Sequence, residues 1–258
     1  MSNLKQVFTD EKAFIAFVVA GDPNFDATVD HIVALAEGGA DIVEIGLPFS
    51  DPVADGPVIQ EADLRAFAAG ANTDKVFDLV AAVRQRTQVP LVFLTYLNLI
   101  FKYGYDAFCA KCAELGVSGL VIPDMPYEER AGLAPYADQH GVDLVPLITP
   151  TSGDRIAKIA KAATGFIYVV SSLGITGTRD EIQTDLGSLV SQIKAVTDIP
   201  TAIGFGVHTP DQAAALGQVA DGVIVGSAIV KLIAEHGDQA APYLKQYAHE
   251  MKAALPAK

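Results

Sequence analysis

Two acidic residues in the first quarter of the chain have surroundings suited to acid–base chemistry. Glu44 lies in the apolar run DIVEIGL (residues 41–47), and Asp55 follows in the loop LPFSDPVADGPVIQ. An unpaired buried carboxylate costs several kcal/mol, unless its pKa rises and it holds a proton. A salt-bridged structural Glu44 is the alternative, but the following segment FSDPVADGP has no lysine or arginine. Because general acids and bases are carboxyls tuned in this way, we favour a catalytic Glu44.

The loop after Glu44 contains two more carboxyls, Asp51 and Asp55, and its prolines restrict its path. For Asp51 we expect a structural role within the loop. Asp55 precedes Gly56 and Pro57, as an N-cap residue would before a proline that begins a helix. From the residues alone, capping and catalysis explain Asp55 equally well.

Three glycine-rich segments in the second half of the chain predict a phosphate site. They are SSLGITGTRD (residues 171–180), GFGV (204–207) and GSAIVK (226–231), and each follows an apolar run. Glycine lets backbone N–H groups approach an anion closely, and the start of a helix favours negative charge. Tight turns without a ligand are the alternative. Residues 174–185, rich in Gly and Thr, further predict a mobile lid.

Eight apolar runs alternate with amphipathic stretches and must position these residues. They read as continuously buried parallel strands and cover residues 14–20, 41–47, 90–97, 119–124, 143–149, 165–172, 200–206 and 221–227. A doubly wound open sheet would have G-x-G-x-x-G after the first strand, where the sequence is AGDPNF. The pattern therefore predicts a (β/α)8 TIM barrel, one domain over residues 1–258, with a short helix at the N-terminus that caps the barrel bottom.

Composition narrows the classes of partner. The formal net charge is −13 and Lys and Arg are not clustered, so nucleic acid and membrane are poor partners. No apolar signal segment begins the chain, and we expect a cytoplasmic location. The histidines lack metal-ligand spacing, so no metal is predicted. Cys109 and Cys112 lie in a helical pattern and are interpreted as reduced structural thiols.

The segment VEIGLPFSDPVADGP resembles the signature of the tryptophan synthase alpha family, with both carboxylates at the family's separation. The resemblance extends over the whole chain through AGDP, LTYLN, GLVIPDMPYEE, PLITPTS, LGITGTR, GFGV and VGSAIVK. It implies a carbon–carbon lyase of tryptophan biosynthesis, which cleaves indole-3-glycerol phosphate to indole and glyceraldehyde 3-phosphate by a retro-aldol reaction.

The resemblance also implies roles for individual residues. Glu44 would be the proton shuttle, and Asp55 would accept a hydrogen bond from the indole N–H. The indole slot would be lined by Phe17, Leu94 and Phe205, with Tyr168 at its edge. The phosphate would be held by backbone N–H groups of Gly177, Gly206, Gly226 and Ser227, and Thr176 would close over the site toward Asp55.

The family further implies a beta-subunit partner in an alpha2-beta2 heterotetramer. Pyridoxal phosphate would belong to that subunit, with no cofactor in this chain. The docking face is expected at the barrel top, including Met125, Pro126 and the Asp55 loop. A stand-alone indole-producing lyase stays open from the sequence.

Other functional classes fit the residues less well. A glycosidase also uses two carboxylates, but it usually has aromatic sugar platforms, and the chain contains no tryptophan. An indole-3-glycerol-phosphate synthase would have catalytic lysines on its strands, and the predicted strands contain none. A non-catalytic regulatory subunit would gain nothing from a buried acid.

Overall fold

The computed structural model describes residues 3–171 and 179–258, which form nine short strands and twelve α-helices. The strands are β1 (Ala13–Val19), β2 (Ile42–Gly46), β3 (Leu91–Leu94), β4 (Val117–Val121), β5 (Asp143–Val145), β6 (Leu147–Ile148), β7 (Ile167–Val170), β8 (Thr201–Gly204) and β9 (Gly222–Val225). The helices are α1 (Asn3–Val7), α2 (Phe25–Glu37), α3 (Pro57–Ala68), α4 (Thr73–Arg84), α5 (Leu97–Tyr103), α6 (Tyr105–Glu114), α7 (Ala134–His140), α8 (Ile156–Lys161), α9 (Arg179–Lys194), α10 (Pro210–Gly217), α11 (Ser227–His236) and α12 (Ala241–Ala254). Short 3-10 turns cover Tyr127–Gly132, Pro150–Arg155 and Gly237–Gln239.

The strands form one parallel sheet in the order β5-β4-β3-β2-β1-β9-β8-β7-β6. The two outer strands of this order, β5 and β6, are consecutive in the chain and separated only by Pro146. They are the two halves of the predicted fifth strand, interrupted because proline has no N–H to donate to the ladder. The sheet is therefore a nearly closed barrel, and the prediction of a (β/α)8 barrel is confirmed.

Alternation along the strands separates the barrel interior from its helix-facing surface. Ile42 belongs to the interior cluster, whereas Val43 and Ile45 pack in the cluster beneath the helices. In the register between β1 and β2, Ile15 pairs with Ile42 and Phe17 with Glu44. The period of two therefore turns Glu44 inward, one layer above Ile42.

Helix α1 covers the lower end of the barrel, as the sequence predicts. Leu4 and Phe8 are buried in the interior cluster, and the rings of Phe8 and Phe166 lie 5.6 Å apart between centroids. Phe166 immediately precedes β7, so this contact closes the end of the barrel opposite to the loops that carry the predicted site.

The starts of helices α2 and α9 and the position of the two cysteines are local features of the fold. The α2 helix begins with Asn24, whose side chain accepts from the Ala27 N–H, ahead of the acidic Asp26 in its first turn. Helix α9 already begins at Arg179, so part of the segment predicted as a lid is helical. Cys109 and Cys112 are both buried within α6 and form no disulfide with each other.

Candidate active site

Glu44 is buried at the centre of the barrel mouth. Its neighbours across the ladder are Phe17 on β1 and Val92 on β3, and its exposed fraction is 2%. Within the described residues, its Oε1 has no hydrogen-bond partner and no cation pairs with it. Burial, followed by the charge of Asp55, raises the pKa of Glu44 to about 8. The side chain therefore holds a proton at neutral pH.

Asp55 faces Glu44 from the loop after β2, and it does not cap the next helix. Gly56 is the N-cap residue of α3 and Pro57 is its first residue. The Asp55 Oδ2 instead accepts a hydrogen bond of 2.7 Å from the Tyr96 hydroxyl, which itself accepts from the Ala54 N–H at 3.0 Å. Burial raises the pKa of Asp55, while the hydrogen bond from Tyr96 acts to lower it. For Asp55 the hydrogen bond from Tyr96 therefore opposes the effect of burial, whereas for Glu44 the charge of Asp55 adds to it.

Both carboxyls line one cavity of about 640 Å³ at the barrel mouth. Its wall includes every predicted site residue that the structure describes, namely Phe17, Glu44, Asp55, Leu94, Tyr168, Phe205, Gly206, Gly226 and Ser227. The predicted residues Thr176 and Gly177 lie outside the described residues. The lining combines apolar side chains such as Phe17 and Leu94 with the two carboxyls and with the chain segments that follow β8 and β9, here called the polar end.

The aromatic wall fits because glycine occupies the strand ends beside it. A Cβ at Gly46 would lie 2.7 Å from the Phe17 ring, and a Cβ at Gly204 would lie 2.3 Å from the Tyr168 hydroxyl. The Tyr168 and Phe205 rings meet nearly edge-on, with centroids 6.0 Å apart. A larger residue at either glycine would force the neighbouring ring out of its observed position.

The polar end of the cavity is built from two chain turns. After β8, Phe205 and Gly206 both have positive φ, of 69° and 79°, a region that strains the non-glycine Phe205. The Ser171 hydroxyl donates to the carbonyl oxygens of Gly204 and Phe205, which holds this turn in place. After β9, Gly226 and Ser227 begin the ten-residue helix α11, whose N-terminus favours an anion.

Several lining residues were not found from the sequence. Tyr96, which contacts Asp55 but does not line the cavity, was also detectable in principle, because it lies two residues after β3 at the end of the barrel where catalytic residues lie. The lining residues that were not found lie in the loop after β2, in α3, in the loop after β8, in β9, and in helices α11 and α12. They are Ala54, Gly56, Ile59, Val207, His208, Ile224, Ala228, Lys231, Leu232, Glu235 and Tyr247.

A second acidic cluster lies behind the Asp55 loop. Asp22 is fully buried and accepts two hydrogen bonds from Arg65, of 2.7 and 2.9 Å. Asp63, on the same helix as Arg65, is 5% exposed. Burial, then the charges of Asp55 and Asp22, raises the pKa of Asp63 to about 8. Arg65 therefore pairs with Asp22, and Asp63 is protonated at neutral pH.

Replacing Asp63 with asparagine should stabilise the protein at neutral pH. The folded pKa lies above the unfolded value, so wild type loses stability as pH rises from about 4 to about 8. We expect the variant to gain about 1–2 kcal/mol in free energy of unfolding at pH 7.5, measured with urea, and almost nothing at pH 4. The exposed Asp78→Asn is the matched control. A variant that is less stable than wild type at pH 7.5 would contradict a protonated Asp63.

Comparison with known proteins adds the family to this geometry. A family model described as tryptophan synthase alpha chain matches residues 1–256. The chain belongs to the tryptophan synthase alpha chain family. The tryptophan synthase alpha chain of Lacticaseibacillus casei is 61% identical over 258 residues, with 100% of this chain and 97% of that protein covered. The alpha chain of Lactiplantibacillus plantarum is 59% identical over 256 residues, with 99% and 97% covered.

Solved structures agree with this family. A Mycobacterium tuberculosis tryptophan synthase structure superposes with a TM-score of 0.91 at 35% identity, covering 100% of this chain and 99% of that one. The alpha subunit from Legionella pneumophila superposes with a TM-score of 0.90 at 33% identity, covering 99% and 98%. Tryptophan synthase alpha chains are aldolase-type lyases of tryptophan biosynthesis, and they cleave indole-3-glycerol phosphate to indole and glyceraldehyde 3-phosphate. The family implies a beta-chain partner, which holds pyridoxal phosphate in the known complex.

The described residues offer neither a metal site nor a membrane-spanning helix. They contain no group of three His, Cys, Asp or Glu side chains that could hold a metal ion. None of the helices they form is long and apolar enough to cross a membrane.

Proposed function

We propose that Glu44 and Asp55 cleave indole-3-glycerol phosphate in this cavity. The observation that carries the proposal is the buried, protonated Glu44 with a free oxygen facing a ligand-sized cavity that Asp55 shares. A buried acid without a partner is costly for the fold, and it is suited to proton transfer in a site closed to water. The family membership of the chain supplies the reaction.

The proposed reaction uses Glu44 twice. Its carboxyl first donates a proton to indole C3, and the positive charge that develops on the ring nitrogen is stabilised by the Asp55 carboxylate through the N–H. The Glu44 carboxylate then takes the proton from the hydroxyl next to C3. The bond between C3 and that carbon breaks, its electrons return to the ring, and the hydroxyl carbon becomes the aldehyde of glyceraldehyde 3-phosphate. Glu44 ends protonated, ready for another turnover.

The substrate would lie with its two ends in the two halves of the cavity. Phe17, Leu94 and Phe205 are proposed to enclose the indole ring, with Tyr168 at its edge. Backbone N–H groups of Gly206, Gly226 and Ser227 are proposed to hold the phosphate, supported by the turn after β8 and the start of α11. For Gly177 as a further phosphate ligand and Thr176 as a lid residue near Asp55, the family resemblance is the support.

Assembly and location form the second part of the proposal. We infer an alpha2-beta2 complex in the cytoplasm, in which the beta subunit carries pyridoxal phosphate and this single-domain chain carries no cofactor. The proposed docking face is the barrel top around Met125, Pro126 and the Asp55 loop. Val53 in that loop is 83% exposed and Tyr127 is 38% exposed, which suits a surface that a partner covers.

Indole release tests the proposal. Purified chain would be incubated with indole-3-glycerol phosphate, alone and with a tryptophan synthase beta subunit, and both products measured. We expect equal amounts of indole and glyceraldehyde 3-phosphate, and a higher rate with the partner. Full activity alone, unchanged by the partner, would identify a stand-alone lyase. A folded chain that releases no indole under either condition would refute the proposed function.

A further inference from the structure

Negative charge in and around the cavity disfavours the binding of a phosphate at its polar end. The chain carries a formal net charge of −13, and the acidic residues Asp55 and Glu235 line the same cavity. A phosphomonoester dianion would therefore enter a negative field. Among the described lining residues, only Lys231 and His208 can supply a full positive charge.

His208 lies two residues after Gly206 and is held in a defined orientation. Its backbone N–H donates to Gln212 Oε1 at 2.9 Å, and its carbonyl oxygen accepts from the Tyr247 hydroxyl at 3.0 Å. Its ring Nδ1 lies 2.9 Å from the carbonyl oxygen of Gly206. A carbonyl oxygen only accepts, so Nδ1 carries the hydrogen and Nε2 is the nitrogen left for a ligand.

The protonation state of Nε2 decides how His208 meets an anion. In the neutral ring Nε2 presents a lone pair, which repels a phosphate oxygen, whereas in the charged ring it donates a hydrogen bond. Lys231 and Glu235 of α11 and Tyr247 of α12 line the same cavity. Lys231 and Glu235 carry opposite formal charges. A bound dianion would add the deciding negative charge.

We propose that His208 binds the substrate phosphate as an imidazolium through Nε2, so that phosphate binding takes up one proton. The inference rests on the proposed function and names a specificity residue for the same site. Histidine is the side chain that ordinarily changes its charge between about pH 5 and 8. Affinity for the phosphate end of the substrate would therefore fall as pH rises, while a ligand that lacks the phosphate would not respond.

Calorimetry with sn-glycerol 3-phosphate as the probe tests this without turnover. Titrations at pH 7.5 in buffers of different ionisation enthalpy measure proton uptake, and the phosphomonoester is already a dianion there because its second pKa is about 6. We expect uptake approaching one proton in wild type and about tenfold weaker binding at pH 8.5 than at pH 7, as a charge-assisted hydrogen bond is lost.

Variants separate His208 from other sources of the effect. His208→Asn keeps an amide that can donate to Gly206 but has no group at the Nε2 position, and it should bind the probe with much less proton uptake than wild type. The remaining uptake would come from Glu44, which lines the same cavity and has a pKa of about 8. His140→Asn alters a histidine outside the cavity, paired with Asp106, and should behave like wild type. In turnover, His208→Asn should raise KM for indole-3-glycerol phosphate about tenfold at pH 7, with a much smaller change in kcat.

Two outcomes would overturn the role of His208. One is proton uptake by His208→Asn equal to that of wild type, and the other is wild-type affinity that stays constant from pH 7 to 8.5. Because the probe is not cleaved, either result is independent of catalysis. A chain that binds the probe with proton uptake but releases no indole would instead refute the proposed function alone.

Discussion

Glu44→Gln should lower kcat for indole release by about two to four orders of magnitude, because a positioned general acid or base usually accelerates a reaction by that factor. The amide has nearly the same shape as the carboxyl, but it can neither give a proton to indole C3 nor take one from the hydroxyl. KM should change little, because Phe17 and the phosphate end of the cavity are untouched. Steady-state kinetics with a saturating beta subunit would measure both values.

The same substitution should make the protein more stable at neutral pH. The folded pKa of Glu44, about 8, lies above the unfolded value, so wild type loses stability as pH rises from about 4 to about 8. We expect Glu44→Gln to gain about 1–3 kcal/mol in free energy of unfolding at pH 7.5 and little at pH 4. The exposed Glu129→Gln is the matched control. An inactive but destabilised variant would show that Glu44 holds the fold together, and catalysis would have to be sought elsewhere.

Asp55→Asn should lower kcat by about two orders of magnitude, because a neutral amide stabilises the positive charge on the indole ring much less than a carboxylate does. Tyr96→Phe is a graded companion variant. It removes the 2.7 Å hydrogen bond to Asp55 and the acceptor of the Ala54 N–H, but leaves the carboxylate in place. We expect about a tenfold loss for Tyr96→Phe, with the fold intact by circular dichroism.

The relative activity losses of Asp55→Asn and Tyr96→Phe test whether the charge of Asp55 matters. If Tyr96→Phe loses as much activity as Asp55→Asn, the loop position set by Tyr96 matters more than the charge of Asp55. If Asp55→Asn retains wild-type activity, Asp55 is a loop residue and the assignment of charge stabilisation to it is wrong.

The barrel and the orientation of Glu44 could be predicted because both follow from local periodicity. Apolar runs at regular spacing define the strands, and the period of two assigns Glu44 to the inner face together with Ile42. The glycine-rich ends of β8 and β9 were detectable because phosphate sites in this fold recur in the loops after the seventh and eighth strands.

Long-range contacts explain what the sequence left open. Asp55 is preceded by a loop and followed by Gly56 and Pro57, and only the partner Tyr96, from the end of another strand, distinguishes catalysis from capping. The pKa of Asp63 depends on neighbours that the fold brings together. His208 contributes through a hydrogen bond to Gly206 and through helices that pack over the mouth, which periodicity does not describe.

The pH dependence of kcat at saturating indole-3-glycerol phosphate tests the central claim most directly. It follows the enzyme–substrate complex, so loss of phosphate affinity at high pH does not enter. If protonated Glu44 begins the reaction, kcat is constant near neutrality and falls tenfold per pH unit above the pKa of Glu44 in the enzyme–substrate complex, which lies at or above its value of about 8 in the ligand-free cavity. A kcat that remains constant to about pH 10 in a folded enzyme would contradict the role of Glu44 as the acid.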